Sequence, residues 1–133
     1  MINRIVATAV FCCLSMGCAT ISEQAKMEAY GRTMDAYETA MRLSDYNAAC
    51  QHVDPSIMLR KACLGQYENI KLVSYDVLGV NVADDKREVA QTVEVAYYFL
   101  DRYVVKKMQY NQLWRYQEGQ EKWVLQTGPP EFE

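Results

Sequence analysis

Hydrophobic and polar positions divide the chain into a helical first half and a strand-rich second half. Met27, Tyr30, Met34, Tyr37 and Met41 recur at steps of three and four. That spacing places them on one face of a helix. Ser22 followed by Glu23 is a helix start, and the pattern predicts a helix that continues through Leu43 to about Cys50. Met-acid-Ala-Tyr occurs twice in it, at 27–30 and 34–37. Two heptads are fewer than a coiled coil requires, and Met and Tyr are weak seam residues. The pattern therefore predicts a helix laid against a sheet, with Met side chains filling irregular gaps. The run His52-Val53-Asp54-Pro55 breaks it. Asp54 as N-cap and Pro55 as first helical residue predict a second helix over 55–64, stopped by Gly65. Ile57, Met58, Ala62 and Leu64 are the candidates for its core side.

From residue 70 the period changes to two. Residues 70–82 are rich in β-branched and aromatic side chains, and 83–86 read as a turn. In 87–101, Val89, Val93, Val95, Tyr97 and Phe99 alternate onto one face. Ala90, Thr92, Glu94, Ala96 and Tyr98 fall on the other. In 103–117, Val104, Lys106, Met108, Tyr110, Trp114 and Tyr116 share one parity. A turn at 118–120 leads to a last strand at 123–125, and 128–130 end the ordered part. Fifteen extended residues span about 50 Å, whereas a domain of this size has a radius of gyration of about 13 Å. The strands must curl. Gly79 is the candidate kink, and the slipped parity of 70–82 predicts a bulge.

Helices followed by an antiparallel meander define an α+β fold with N-terminal helices packed in a strongly curled antiparallel sheet. This element order resembles the cystatin-like α+β cone of the nuclear transport factor 2-like superfamily. The closing pattern Leu113-Trp114, Glu118-Gly119, Lys122-Trp123-Val124-Leu125 and Gly128-Pro129-Pro130 is similar to the last hairpin of many small bacterial members. The resemblance covers residues 23–130. It implies the fold; enzymes, binding modules and assembly subunits all share that fold, so it leaves function open. Exposed sheet in such folds also implies a homodimer as one partner to test.

The N-terminus changes the picture of where the chain works. Residues 1–4 carry one positive charge, residues 5–14 are apolar apart from Thr8, and Gly17 precedes Cys18. This is the layout of a secretory signal peptide, well short of the ~20 apolar residues that span a bilayer. Leu14-Ser15-Met16-Gly17-Cys18 resembles the lipobox of bacterial lipoproteins. The resemblance implies cleavage before Cys18, its acylation, and membrane anchoring on the periplasmic side of the envelope. Ala19 implies the outer rather than the inner membrane. A zinc site, an uncleaved anchor and plain secretion are the competing readings of the Cys12, Cys13, Cys18 cluster. The spacing lacks the paired Cys-x-x-Cys units of zinc ribbons. The expected organisation is a signal peptide at 1–17, a lipidated tether at 18–22 and a single domain at 23–130.

Processing would leave Cys50 and Cys63, an even pair in an oxidising compartment, and predicts a disulfide between them. Two buried thiols are the alternative. The formal charge of -3 argues against a nucleic-acid partner.

Candidate chemistry is sparse. Enzymes of this fold resemble one another in holding Asp, His and Tyr inside the cone. Here the one histidine, His52, falls in the predicted inter-helix turn. Tyr97, Tyr110 and Tyr116 are expected to face the interior. Asp76 and Glu94 lie within strands, and acid–base work would require one of them beside a tyrosine in a cavity. Otherwise they belong to a solvated face. Lys86, Arg87, Arg102, Lys106 and Lys107 are expected at turns or as guards of a sheet edge. No nucleophile motif, phosphate loop or metal-ligand cluster is present. The sequence thus points to no cofactor, no metal and no enzyme. It points to a lipid-anchored interaction protein with an envelope protein partner. The alternatives are a binder of a small ligand in the cone and, behind it, an isomerase- or hydrolase-like enzyme.

Overall fold

The structure is a computed structural model and describes residues 22–133. The expected signal peptide at 1–17 and the expected lipidation site Cys18 lie outside the described residues. Three helices precede four strands: α1 (Glu23–Arg42), α2 (Tyr46–Cys50), α3 (Arg60–Gln66), β1 (Ile70–Val82), β2 (Glu88–Phe99), β3 (Lys106–Gln117) and β4 (Lys122–Leu125). The strands form one antiparallel sheet in the order β1-β2-β3-β4. The sheet curls around α1, as the sequence predicts.

α1 begins where its cap is. Ser22 Oγ accepts the Ala25 N–H at 3.1 Å, and Glu23 in the first turn and Arg42 in the last complement the helix dipole. Tyr37 and Met41 are fully buried, and Met27, Tyr30 and Met34 pack against the same core. The expected continuation to Cys50 is corrected. α1 stops at Arg42, Ser44 takes a left-handed φ of 54°, and Asp45 caps α2 by accepting from Ala48 N–H at 3.2 Å. Ser44 Oγ also accepts from the Leu72 N–H at 3.1 Å, which fastens the break to β1.

The helix expected at 55–64 is likewise corrected. Asp54 Oδ1 accepts from the N–H and hydroxyl of Ser56 at 2.9 and 2.8 Å, and Gln126 donates to its other oxygen at 3.0 Å. These bonds close a turn and do not start a helix. α3 begins only at Arg60 and runs through Gly65. Ile57 and Ala62 are exposed, while Met58 and Leu64 pack on the core. Cys50 and Cys63 form the disulfide, with Cα atoms 5.9 Å apart.

β1 carries two bulges, at Leu72/Ser74 and Val77/Gly79. They account for its slipped parity and include Gly79 as expected. The second and third strands are shorter than the alternation suggests, because residues 100–105 form the hairpin loop. Arg102 and Tyr103 both donate their N–H groups to Phe99 O, and Tyr103 has φ 55°. β4 pairs only with residues 114–117 of β3. The first half of β3, with Lys106 and Lys107, is therefore a sheet edge. Residues past β4 run along it: Gln126 N–H donates to Leu113 O, and Lys106 reaches Glu133 O at 2.8 Å.

Candidate functional site

Alternation on β2 and β3 aims a row of mostly apolar and aromatic side chains into the cone, with two glutamines among them. Gln112 sits between Tyr110 and Trp114 in the inward parity, and Gln91 between Val89 and Val93; both are buried. Gln112 Oε1 accepts from Tyr75 Oη at 3.2 Å, Gln91 Nε2 at 3.1 Å and Trp114 Nε1 at 3.1 Å. Gln112 Nε2 donates to Tyr110 Oη at 2.8 Å, and Tyr30 Oη donates to Gln91 Oε1. Every buried polar side-chain atom of the described residues has a partner. The interior is a closed hydrogen-bond network.

Its phenols are firmly neutral. Burial pushes Tyr30 up to about 12 and holds Tyr37, Tyr67, Tyr75 and Tyr110 further above their ordinary value. A phenol that does not ionise near neutral pH donates hydrogen bonds and does not act as a base. Lys26, Gln91 and Gln112 are the buried polar residues of the described chain. No carboxylate is buried with them. Lys26 reaches Glu118 at 3.5 Å and lies 5.5 Å from the centre of the Tyr116 ring.

The candidates named from the sequence separate in space. Tyr97, Tyr110 and Tyr116 face inward. Asp76 and Glu94 project from the outer face, where Arg42 lies 3.8 Å from Asp76 and Gln109 donates to Glu94 at 3.2 Å. The geometry required for a Tyr–carboxylate acid–base pair is absent at both positions. His52 is half-buried, edge-on to Tyr37 and Trp114 at centroid distances of 5.6 and 6.1 Å. Burial first, and the charge of Lys122 second, hold it below its ordinary pKa, so the ring is neutral. Among the described residues no three His, Cys, Asp or Glu side chains group as metal ligands would.

Open space lies outside the network. A cavity of about 690 Å³ lies between the 53–58 turn and β4, with Asp54, Met58, Arg60 and Lys122 in its wall. Another, of about 710 Å³, lies at the cone mouth against Tyr97, Lys106, Lys107, Met108, Glu131 and Glu133.

No protein-family model and no curated protein matches this sequence. Solved structures do match in shape. A SEC-C motif containing protein from Rhodopseudomonas palustris has a TM-score of 0.53 at 14% identity, over 85% of this chain and 94% of that one. A ketosteroid isomerase-like protein from Erwinia carotovora atroseptica has 0.52 at 16% identity, over 74% and 89%. A proposed polyketide cyclase from Xanthomonas campestris pv. campestris has 0.50 at 12% identity, over 80% and 93%. Helices enclosed by a curled four-stranded antiparallel sheet, in the company of these structures, give the chain the nuclear transport factor 2-like α+β fold.

Proposed function

We propose that this chain is a non-catalytic binding protein of the bacterial envelope, anchored through an acylated Cys18. The observation that carries the non-catalytic part is the closed Tyr–Gln–Trp network at the heart of the cone. Its donors and acceptors satisfy one another, and its phenols are held neutral. Acid–base catalysis needs a group that exchanges protons near the working pH. The carboxylates of β1 and β2 stand on the other side of the sheet. The anchor rests on the lipobox-like residues 14–18.

Binding has two versions. The names of two structural neighbours and the cavity at the cone mouth support a small ligand. Exposed Val77, Leu78 and Val80 on the edge strand β1 support a protein partner. The small-ligand version has the more support.

Native mass spectrometry of the protein extracted from host membranes tests the proposal. The expected species is a chain beginning at Cys18, acylated, and carrying a bound small molecule or protein. An unacylated chain would remove the anchor. An acylated chain that carries nothing would overturn the binding reading.

A further inference from the structure

The last described residues occupy the cone mouth in the manner of a ligand. The Phe132 ring lies between Tyr67 and Tyr97, with centroids at 5.7 and 4.8 Å. It completes an aromatic row, because Tyr67 stacks on Tyr46 at 4.3 Å and Tyr97 meets Phe99 at 6.0 Å. The main chain of Glu133 supplies the polar half. Its main-chain oxygen accepts from Tyr97 Oη at 2.9 Å and Lys106 Nζ at 2.8 Å, and its N–H donates to Tyr97 Oη at 3.3 Å.

The frame and the occupant differ in how they are held. Tyr46 is on α2, Tyr67 ends α3, and Tyr97 and Phe99 are on β2. Each is fixed by its element. Phe132 follows Pro129 and Pro130 in a segment that is neither helix nor strand. Neither proline has an N–H with which to pair to the β3 edge. Phe132 is half-buried, whereas Tyr67 and Tyr97 are each 3% exposed. If Phe132 and Glu133 leave, an aromatic slot, a phenol and an ammonium group are left facing one another beside the 710 Å³ cavity.

We propose that the slot between Tyr67 and Tyr97, with Lys106 at its end, is a binding site for aromatic carboxylates. Phe132–Glu133 is its intramolecular occupant, which the ligand displaces. This rests on the binding-protein reading and adds the ligand class to it. The carboxylate follows from the electrostatics. The Lys106 ammonium already donates to a main-chain oxygen of Glu133 at 2.8 Å, and a ligand carboxylate seated there makes a charge-assisted bond to it. Glu131 and Glu133 line the cavity beside Lys106 and Lys107 while the tail is seated. When the tail leaves, their negative charges leave with it and the two lysines remain. The length of the ligand follows from the covalent chain. Five chain atoms separate the Phe132 ring from the Glu133 carbonyl carbon, as five methylenes separate ring and carboxylate in 6-phenylhexanoate.

A tethered competitor lowers apparent affinity by the fraction of time the site is open. Titration of the purified full chain with 6-phenylhexanoate, followed by NMR, tests this directly, with uncharged 6-phenylhexanol as the control. Wild type is expected to bind the acid weakly, and Phe132→Ala to bind it at least about tenfold more tightly. Adding Lys106→Met to Phe132→Ala is expected to bring the acid down to the affinity of the alcohol. In wild type, saturation with the acid is expected to speed hydrogen exchange at the Glu133 amide, a readout that needs no variant to fold. An acid that binds Phe132→Ala no more tightly than wild type would overturn the proposal. So would a Glu133 amide that stays protected at saturation. Either failure leaves the membrane-extracted species and its bound partner to be judged separately.

Discussion

Asp76 on β1 and Glu94 on β2 are direct cross-strand partners on the outer face of the sheet. Like charges facing each other across an antiparallel pair repel. Arg42 lies 3.8 Å from Asp76, but both side chains are more than half exposed, so solvent screens the attraction. Gln109 donates to Glu94 and leaves the charge in place. Glu94→Gln keeps an acceptor for Gln109 and removes the repulsion. It is expected to stabilise the fold by about 0.2–1 kcal/mol, read as a higher urea midpoint with an unchanged slope. A lower midpoint would mean that the Glu94 charge is held by attraction and that this face is not merely solvated.

Gln112 makes a sharper prediction, because three buried donors converge on one oxygen. Gln112→Leu fills the space and removes the acceptor. Tyr75, Gln91 and Trp114 then compete for fewer partners, and an unmatched buried donor costs about 1–3 kcal/mol. The expected loss is about 2–4 kcal/mol by chemical denaturation. Gln91→Leu is expected to cost less, since Gln112 keeps its bonds to Tyr75, Trp114 and Tyr110. A loss below about 1 kcal/mol for Gln112→Leu would show that the interior repacks freely. That outcome would reopen the cone to a buried ligand.

How far these features are legible in the sequence depends on their range. The α1 face, the inward set Val89, Val93, Val95 and Tyr97, and the bulge at Gly79 follow from local periodicity, and the structure has them. Parity also assigns Glu94 to the outer face. The same parity put polar residues at the inward positions 91 and 112. That signal was present, but its meaning requires knowing that Tyr30, Tyr75 and Trp114 arrive from three other places. The break falls at Ser44-Asp45, two residues of capping type, which a helix drawn through to Cys50 passes over. Asp54 carried a correct capping signal and an incorrect consequence. Its oxygens are taken by Ser56 and by Gln126, which is 72 residues away. Phe132 left no pattern at all. Its place between Tyr67 and Tyr97 comes from long-range packing after a Pro-Pro pair.

The Cys50–Cys63 bond closes the segment that holds the Asp54 turn and the start of α3. A loop of this length removes unfolded-state entropy equivalent to about 3 kcal/mol. Both cysteines are buried, so Cys50→Ala/Cys63→Ala also leaves small cavities. The double variant, or the reduced wild type, is expected to melt roughly 10 °C lower by calorimetry. Equal melting temperatures with and without reductant would show that the bond does not constrain the unfolded chain.

His52 sets the pH dependence near neutrality, because it is the one histidine in the chain. Burial against Tyr37 and Trp114, and then the charge of Lys122, hold its folded pKa below the ordinary 6.5. The unfolded chain therefore takes up this proton at a higher pH than the folded one. Between the two values the unfolded state binds more protons, so acid favours it. Stability is expected to be full above pH 6.5, to fall as the pH drops through the folded pKa, and to level off below it. Asp54 acts in a separate window. Bonds from Ser56 first, and then from Gln126, hold it below 3.8, so the stability it contributes is lost only as the pH falls through its folded value. Urea midpoints measured every half unit from pH 4.5 to 8 on the order of ten samples would resolve the histidine step. In His52→Gln that step is expected to vanish while the decline at lower pH remains. A slope that survives the substitution would assign the neutral-range dependence to a group other than His52.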